Sequence, residues 1–285
     1  MDLGLFLPPL VACLIIVAIH SYLGLHVIAR EVIFVDLSLA QMAALGSAVA
    51  ILAGSQPDSP SAFLYALGAT TLGAGIFALT RTNERGRVPQ EAIIGIVYVV
   101  ASAAAILVAD RTPRGGEAIK DILVGSLLWV TWPVIGRLAA IYAVVGVFHW
   151  LLRGRFLTIS FHPEVAAARG WNVRLWDFLF YLSFGIVITF SVPIAGVLLV
   201  FSFLVVPAAV AFQFTRRQGA LAVTSWIAGV LASATGLWLS FRYDLPTGPL
   251  IVCAFGLVLL VAYGIRRALG VGAEAALEPV AAEQG

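Results

Sequence analysis

The chain alternates between long apolar stretches and short polar connections. Nine apolar stretches approach the length of about 20 residues that a helix needs to cross the hydrocarbon core. They lie near residues 5–29, 33–53, 61–80, 91–109, 132–152, 175–193, 195–214, 219–240 and 247–265. Backbone groups in lipid must be satisfied within the segment, and these stretches lack the alternation of barrel strands. The predicted fold class is therefore an all-α, polytopic membrane helix bundle of about nine spans.

One pair of stretches leaves the span count between eight and nine. The stretches 175–193 and 195–214 are separated only by SVPIAG, so they form either one bent unit or two shorter helices. Before the fifth stretch, a polar segment is followed by ILVGSLLWV, which is too short to span and predicts a re-entrant or interfacial helix on the outer face. Residues 1–268 are predicted to form one transmembrane domain, and the polar tail 269–285 is predicted to be disordered and cytoplasmic.

Composition and charge agree with a protein embedded in lipid. Of 285 residues, 61% are hydrophobic and 11% are charged, whereas soluble domains carry about 25% charged residues. Most basic residues fall on one set of connections, namely Arg30, Arg81, Arg85, Arg87, Arg153, Arg155, Arg169, Arg174, Arg216, Arg217, Arg266 and Arg267. Because basic residues favour cytoplasmic connections, we predict an outer N-terminus and an inner C-terminus. The expected location is the cell inner (plasma) membrane, with the lipid bilayer as partner and no nucleic acid.

The sequence carries no motif for catalysis or nucleotide binding. The phosphate-binding pattern GxxxxGK[ST] is absent, because the single lysine, Lys120, follows Ile119. The HExxH, GxSxG and paired-cysteine patterns are absent as well. We therefore expect no enzymatic activity and no cofactor bound by this chain. If the protein transports a solute actively, the energy must come from a partner chain or from an ion gradient. Ion-coupled carriers keep ionisable residues deep in their spans, whereas Asp36, Glu91 and Asp177 lie near predicted inner ends, where water is close.

The connection after the fifth stretch contains a short helix signal, FHPEVAAARGWN, at residues 161–172. Pro163 suits a first helical turn, and Gly170 suits the position just past a helix end. Glu164 in the first turn and Arg169 in the last agree with the helix dipole. A helix of about two turns is too short to be stable alone. It therefore needs a surface to dock against, unless the segment is a plain surface turn.

Five segments of the chain follow the sequence pattern of one transporter family. The inner connection matches D-P-E-x-A-x-x-x-G with His162, Pro163, Glu164, Ala166 and Gly170, so that histidine replaces the aspartate. The other matches are REVIFVDLSLAQMAALG at 30–46, EAIIGI at 91–96, GVLLVFSFLVVPAA at 196–209 and YDLPTG at 243–248. Through these segments, which are spread over nearly the whole chain, the sequence resembles the membrane subunit of zinc- and manganese-type ABC importers.

This resemblance implies a fold, partners and a function. The fold would be that of the type II importers, as in the cobalamin and iron-siderophore permeases. Two copies of the chain would form a homodimer around a central path, with a pair of cytoplasmic ATPase subunits that use ATP and an external substrate-binding protein. The helix within 161–172 would be the coupling helix, seated in a groove of the ATPase. The implied function is ATP-driven import of a divalent metal cation of the zinc or manganese class, by alternating access at the homodimer interface.

The chain departs from the family where metal ligands are expected in the translocation path. In the family an Asp and a His lie one turn apart near the start of the second span, and Leu37 and Gln41 occupy those positions here. Leu37 cannot bind a metal, and the amide oxygen of Gln41 is a weak ligand for zinc. Asp36 is adjacent but turned by about 100° on a helix. Either Asp36 substitutes from a shifted second span, or it caps that span or pairs with Arg30 at the inner surface.

Two alternatives therefore stay open beside import of a metal cation. The same architecture would carry a metal chelate or another small solute, or the chain would be a stand-alone channel or secondary carrier. Histidines elsewhere offer no joint site, because His20 and His26 in the first span are separated by about 120° around a helix. His149 is expected at the membrane interface beside Trp150.

Overall fold

In a computed structural model of the chain, the described residues, 3–56, 59–81, 88–112 and 125–269, form helices and no strands. Nine of these helices have the length and composition to cross a membrane: α1 (Leu3–Ala29), α2 (Val35–Leu52), α3 (Pro60–Leu79), α4 (Gln90–Ala109), α5 (Trp132–Leu151), α8 (Val173–Ala195), α9 (Val197–Phe214), α10 (Gln218–Tyr243) and α11 (Thr247–Ala268). Two short helices, α6 (Arg153–Phe161) and α7 (Pro163–Ala168), join α5 to α8. The predicted all-α bundle is confirmed.

The uncertain pair of spans consists of two separate helices, which brings the count in the described part of the chain to nine. They meet at Gly196, whose φ of 77° and ψ of 156° belong to a region that glycine alone adopts readily. Gly125 packs against this junction, and the backbone N–H of Ser126 donates to the carbonyl of Ile194 at 2.9 Å. The predicted outer helix is a single 3₁₀ turn at Leu127–Trp129 in its described part. Residues 113–124 and the tail from 270 lie outside the described residues.

The spans pack in two groups around the central helices α1 and α8. Helix α1 packs against α9 and α10, and α9 and α10 in turn contact α11. Helix α2 packs against α3 and α4, and α3 packs against α8. Two thirds of the most apolar 18-residue stretch of α1 and of α8 is buried (67%), but only 22% in α4 and α11. Helices α1 and α8 are thus the most buried spans, and α4 and α11 leave apolar faces for lipid or a partner.

Small residues let the central helices approach closely. A Cβ at Gly24 of α1 would overlap the backbone carbonyl of Leu204 in α9. Gly229 of α10 lies against Val17 of α1 in the same way. Packing through small residues replaces the hydrophobic driving force that lipid removes. The position of α1, and with it the site described next, depends on these contacts.

Candidate coupling helix and translocation path

The short helix α7 lies on the surface of the bundle and presents most of its side chains outward. His162 and Glu164 are exposed, with 62% and 67% of their side chains accessible, and the imidazole Nδ1 lies 3.6 Å from the carboxylate Oε1. Pro163 begins the helix and is exposed as well. Ala166 is the one fully buried residue of α7 and fixes the helix to the protein. The predicted coupling segment therefore has a free outer face and a small anchored inner face.

The C-terminal end of α7 is closed by a glycine cap. Gly170 has a φ of 67°, and its N–H donates to the carbonyl of Ala167 at 2.9 Å. The N–H of Trp171 donates to the carbonyl of Ala166 at 3.2 Å. These two bonds form the Schellman arrangement, which satisfies the last carbonyls of a helix and needs a residue in the left-handed region. Gly170 thus stands just past the helix end, where the sequence placed it.

A buried ion cluster lies at the same end of the bundle, formed by Arg30, Arg81 and Asp177. Arg30 Nη1 donates to Asp177 Oδ1 at 2.7 Å, and Arg81 donates to Asp177 Oδ2. The Asp177 side chain is fully buried, Arg30 is 4% accessible and Arg81 is 23% accessible. The Arg30 guanidinium also lies 4.1 Å from the centre of the Phe180 ring. Asp177 lies near the beginning of α8, as expected, and two arginines enclose its buried carboxylate.

The ion cluster is bonded directly to the segment that leads into α7. Arg30 Nε donates to Ser160 Oγ at 2.7 Å, and Ser160 Oγ lies 2.8 Å from His26 Nδ1. Since Ser160 accepts from Arg30, its own proton is available for the His26 nitrogen. Ser160 is the penultimate residue of α6, two positions before His162. One network therefore connects the end of α1, the second residue after α3, the first turns of α8, and the last turn of α6, which leads into α7.

The three predicted path residues occupy two faces of α2. Leu37 and Gln41 are half-buried and share a face, since four residues differ by only about 40°. Asp36 is 1% exposed, and neither carboxylate oxygen has a hydrogen-bond partner. Asp36 does not cap α2, whose capping residue is Phe34, and it does not pair with Arg30, which binds Asp177 instead. The two structural roles predicted for Asp36, capping of α2 and an ion pair with Arg30, are therefore wrong. Its contact with the transported substrate stays a prediction.

The histidines of the spans serve different partners. His20 Nε2 lies 3.2 Å from Ser191 Oγ, whereas His26 bonds to Ser160, in agreement with their separate faces. His149 is only 2% exposed, with Nε2 at 2.8 Å from Ser183 Oγ, so it faces the interior of the bundle; its position at the level of the membrane interface stays a prediction. Among the described residues, no group of three His, Cys, Asp or Glu side chains is arranged to hold a metal ion.

Sequence reasoning missed the ion cluster and its bond to Ser160. Arg30 and Asp177 are 147 positions apart, and Arg30 and Ser160 are 130 apart, so no local pattern joins them. The available signal was Asp177 itself, an acidic residue in the first turns of an apolar span, because such residues are paired or functional. That rule, applied to Asp177, predicts a basic partner, but it does not say which of the arginines on that side supplies it.

The helices of membrane-spanning length in the described part of the chain define a polytopic membrane protein. The chain belongs to the ABC 3 transport family, which it matches over residues 3–266. As predicted, it is therefore a transport subunit and not an enzyme, and a multi-pass protein of the plasma membrane. The resemblance drawn from the five sequence segments is thereby confirmed.

Relatives and solved structures agree with this family. The manganese transport system membrane protein MntC of Listeria innocua is 25% identical over 229 residues, which cover 78% of this chain and 80% of that one. The protein of the same name from Halalkalibacterium halodurans is 23% identical over 267 residues, covering 92% and 87%. In the structure of PsaBC from Streptococcus pneumoniae in complex with Fab, one chain superposes with a TM-score of 0.77 at 19% identity and 92% coverage of both chains.

Proposed function

We propose that this chain is the permease subunit of an ATP-driven importer for a divalent metal cation of the manganese or zinc class. Two copies enclose the path and alternate its access between the two sides of the membrane. A pair of ATPase subunits docks on α7, and an external binding protein delivers the cargo. The observation that carries the proposal is the exposed, capped helix α7, joined through Ser160 to a buried ion cluster.

The geometry of α7 supports its role as the coupling helix. A docking element must be rigid, and the cap at Gly170 together with buried Ala166 holds this six-residue helix in place. It must also be accessible to the ATPase subunit, and His162, Pro163 and Glu164 are exposed. The His162 imidazole beside Glu164 gives the outer face polar groups that a partner can contact. We infer that the groove of the ATPase subunit binds this face of α7.

Movement of α7 has a direct route into the membrane. A displacement of α7 would move Ser160 at the end of α6, which is bonded to Arg30 at the end of α1. Arg30 in turn binds Asp177, so the displacement would also reach the beginning of α8. Helices α1 and α8 are the most buried spans, so a shift of their ends displaces the packed core rather than a loop. Packed cores respond to such shifts by changing between discrete arrangements. The ion cluster would transmit ATPase closure in this way.

The class of cargo rests on the relatives, two of which are manganese transport system membrane proteins by name. Leu37 and Gln41 favour the second candidate, a metal chelate or another small solute, because they offer no strong ligand. Asp36 is the remaining acidic group on α2, and a carboxylate suits a manganese ion. Family membership argues against the third candidate, a stand-alone channel or secondary carrier.

The test of the cargo uses the reconstituted complex. The chain is co-expressed with its ATPase subunit and placed in liposomes with the external binding protein, and ATPase activity is measured with manganese, zinc, iron and no metal. Stimulation by one metal alone supports the metal-cation proposal. Equal stimulation in all four conditions assigns the chelate or small-solute cargo. Uptake by the chain alone, without the ATPase, would contradict the importer proposal itself.

The coupling role is tested by changes confined to α7. Glu164→Arg reverses an exposed charge, and Gly170→Pro fixes φ near −65° where the cap requires a positive value. Both variants are expected to keep ATPase activity but to lose transport, with the protein still folded. Gly154→Ala in α6 is the matched control, since a Cβ there meets nothing within 4 Å. Normal coupling in both α7 variants would disprove the role.

A further inference from the structure

A crevice of about 570 Å³ opens on the surface of the bundle beside α6. It is lined by residues of α1, α5, α6 and α10. Helix α1 packs against both α5 and α10, so it forms the floor between them. The volume lies within the range of about 300–1,000 Å³ that is typical of ligand cavities. The crevice is separate from α7 and from the path residues of α2.

Small residues create the crevice. Gly146 of α5 and Gly219 of α10 line its walls, and a Cβ at either position would meet nothing within 4 Å. Ala18 of α1 and Ala222 of α10 complete the lining there and are exposed. A side chain of ordinary size at any of these positions would occupy the space. Apart from the residues at its mouth and floor, the crevice is lined by apolar residues. An occupant must therefore be apolar over most of its length.

One end of the crevice is polar and basic. Arg153 and Gln218 are exposed lining residues at this end, and Arg216 and Arg217 directly precede Gln218. The Arg153 guanidinium lies 5.4 Å from the ring of Trp150, which is 61% exposed at the end of α5. Exposed tryptophans at span ends mark the head-group level of a bilayer. The crevice therefore runs from the head-group level into the hydrocarbon layer.

The floor does not offer an open metal site. His26 and His149 lie there with ring centres 6.5 Å apart. Both nitrogens of His149 are engaged, Nε2 with Ser183 and Nδ1 with the hydroxyl of Tyr22 at 3.4 Å. His26 uses Nδ1 for Ser160 and has no exposed surface. These contacts leave the apolar walls and the basic mouth to select the occupant.

We propose that this crevice binds an anionic phospholipid of the inner leaflet. Its phosphate lies against Arg153 and Gln218, and one acyl chain extends along α1 past Gly146. Basic pockets between membrane helices on the cytoplasmic side are known to hold anionic head groups. The assignment to the inner leaflet follows from the orientation predicted by the basic residues. The positive charge of Arg153 at the mouth favours an anionic phospholipid as the occupant. A second copy of the chain would need acidic groups on its facing surface to match this charge.

The test is native mass spectrometry of the purified chain titrated with phosphatidylglycerol and, separately, with phosphatidylcholine. The wild type is expected to bind phosphatidylglycerol more tightly. Arg153→Gln is expected to weaken that binding by about five-fold, the effect of one basic residue near a membrane surface. Gly146→Leu adds a side chain whose Cβ meets nothing within 4 Å, and its isobutyl group is expected to fill the crevice and abolish the bound lipid.

Two variants serve as matched controls. Arg242→Gln removes an arginine that is also stacked on an aromatic ring, Tyr243, at the other end of α10. Gly136→Leu adds a side chain to α5 in equally open space, outside the crevice. Neither is expected to change lipid binding. Unchanged phosphatidylglycerol binding in both crevice variants, or equal binding of the two lipids by the wild type, would overturn the proposal. Loss of a dimer in Gly146→Leu, with lipid binding retained, would assign the crevice to a second copy instead.

Discussion

Replacement of Asp177 by asparagine is the most direct test of the ion cluster. The substitution keeps the shape of the side chain and removes its charge. It leaves Arg30, whose side chain is 4% accessible, without its acidic partner. The second arginine, Arg81, is 23% accessible and is partly compensated by solvent. The main cost therefore arises at Arg30.

The expected size of this effect follows from the burial of the cluster. Removal of one partner from a buried ion pair costs about 3–5 kcal/mol, because a buried charge is left uncompensated. The partial exposure of Arg81 and the remaining bond from Arg30 to Ser160 favour the lower end. A loss of about 3 kcal/mol corresponds to a fall in Tm of roughly 6–12 °C for a chain of this size. Thermal unfolding in detergent, followed by circular dichroism, measures the change.

Two further variants make the reasoning refutable. Asp244→Asn is the control, since Asp244 is exposed, has a φ of 53°, and asparagine tolerates that conformation. Its Tm should match the wild type. The double variant Arg30→Met with Asp177→Leu replaces the buried charges by apolar groups and should be more stable than Asp177→Asn. A Tm within 2 °C of the control for Asp177→Asn, taken with no gain in the double variant, would refute a structural role for the cluster.

Three further predictions concern other positions. Asp36→Leu is expected to raise the stability by about 1–3 kcal/mol, because two buried oxygens without partners are removed; a lower Tm would show that the carboxylate has a partner after all. Gly24→Ala should prevent folding, since its Cβ would overlap a backbone oxygen of α9, whereas Gly256→Ala, in open space, should be neutral in the same expression and gel-filtration assay. Gly170→Ala should cost about 1–2 kcal/mol locally through its positive φ and speed amide exchange in α7, with little change in global Tm; unaltered exchange relative to Gly154→Ala would contradict it.

The distribution of apolar residues was enough to locate the helices, because each span satisfies its own backbone and needs no distant partner. Local signals also identified the short helix near Pro163 and the glycine that ends it, since capping depends on residues a few positions apart. The same local rules left the junction near Gly196 open. Whether a chain bends or breaks there depends on the neighbouring backbone at Gly125, which the sequence does not place.

By itself, then, the sequence determined the membrane environment, the span positions apart from the junction near Gly196, the short helix at Pro163 and the family. Only the tertiary structure decided which side chains meet across the bundle. It joined Arg30 to Asp177 and Ser160, left Asp36 buried without a partner, and opened a crevice at Gly146. The physical reason is that helix formation in lipid is local, whereas ion pairs, unpaired charges and cavities arise where helices far apart in sequence pack together.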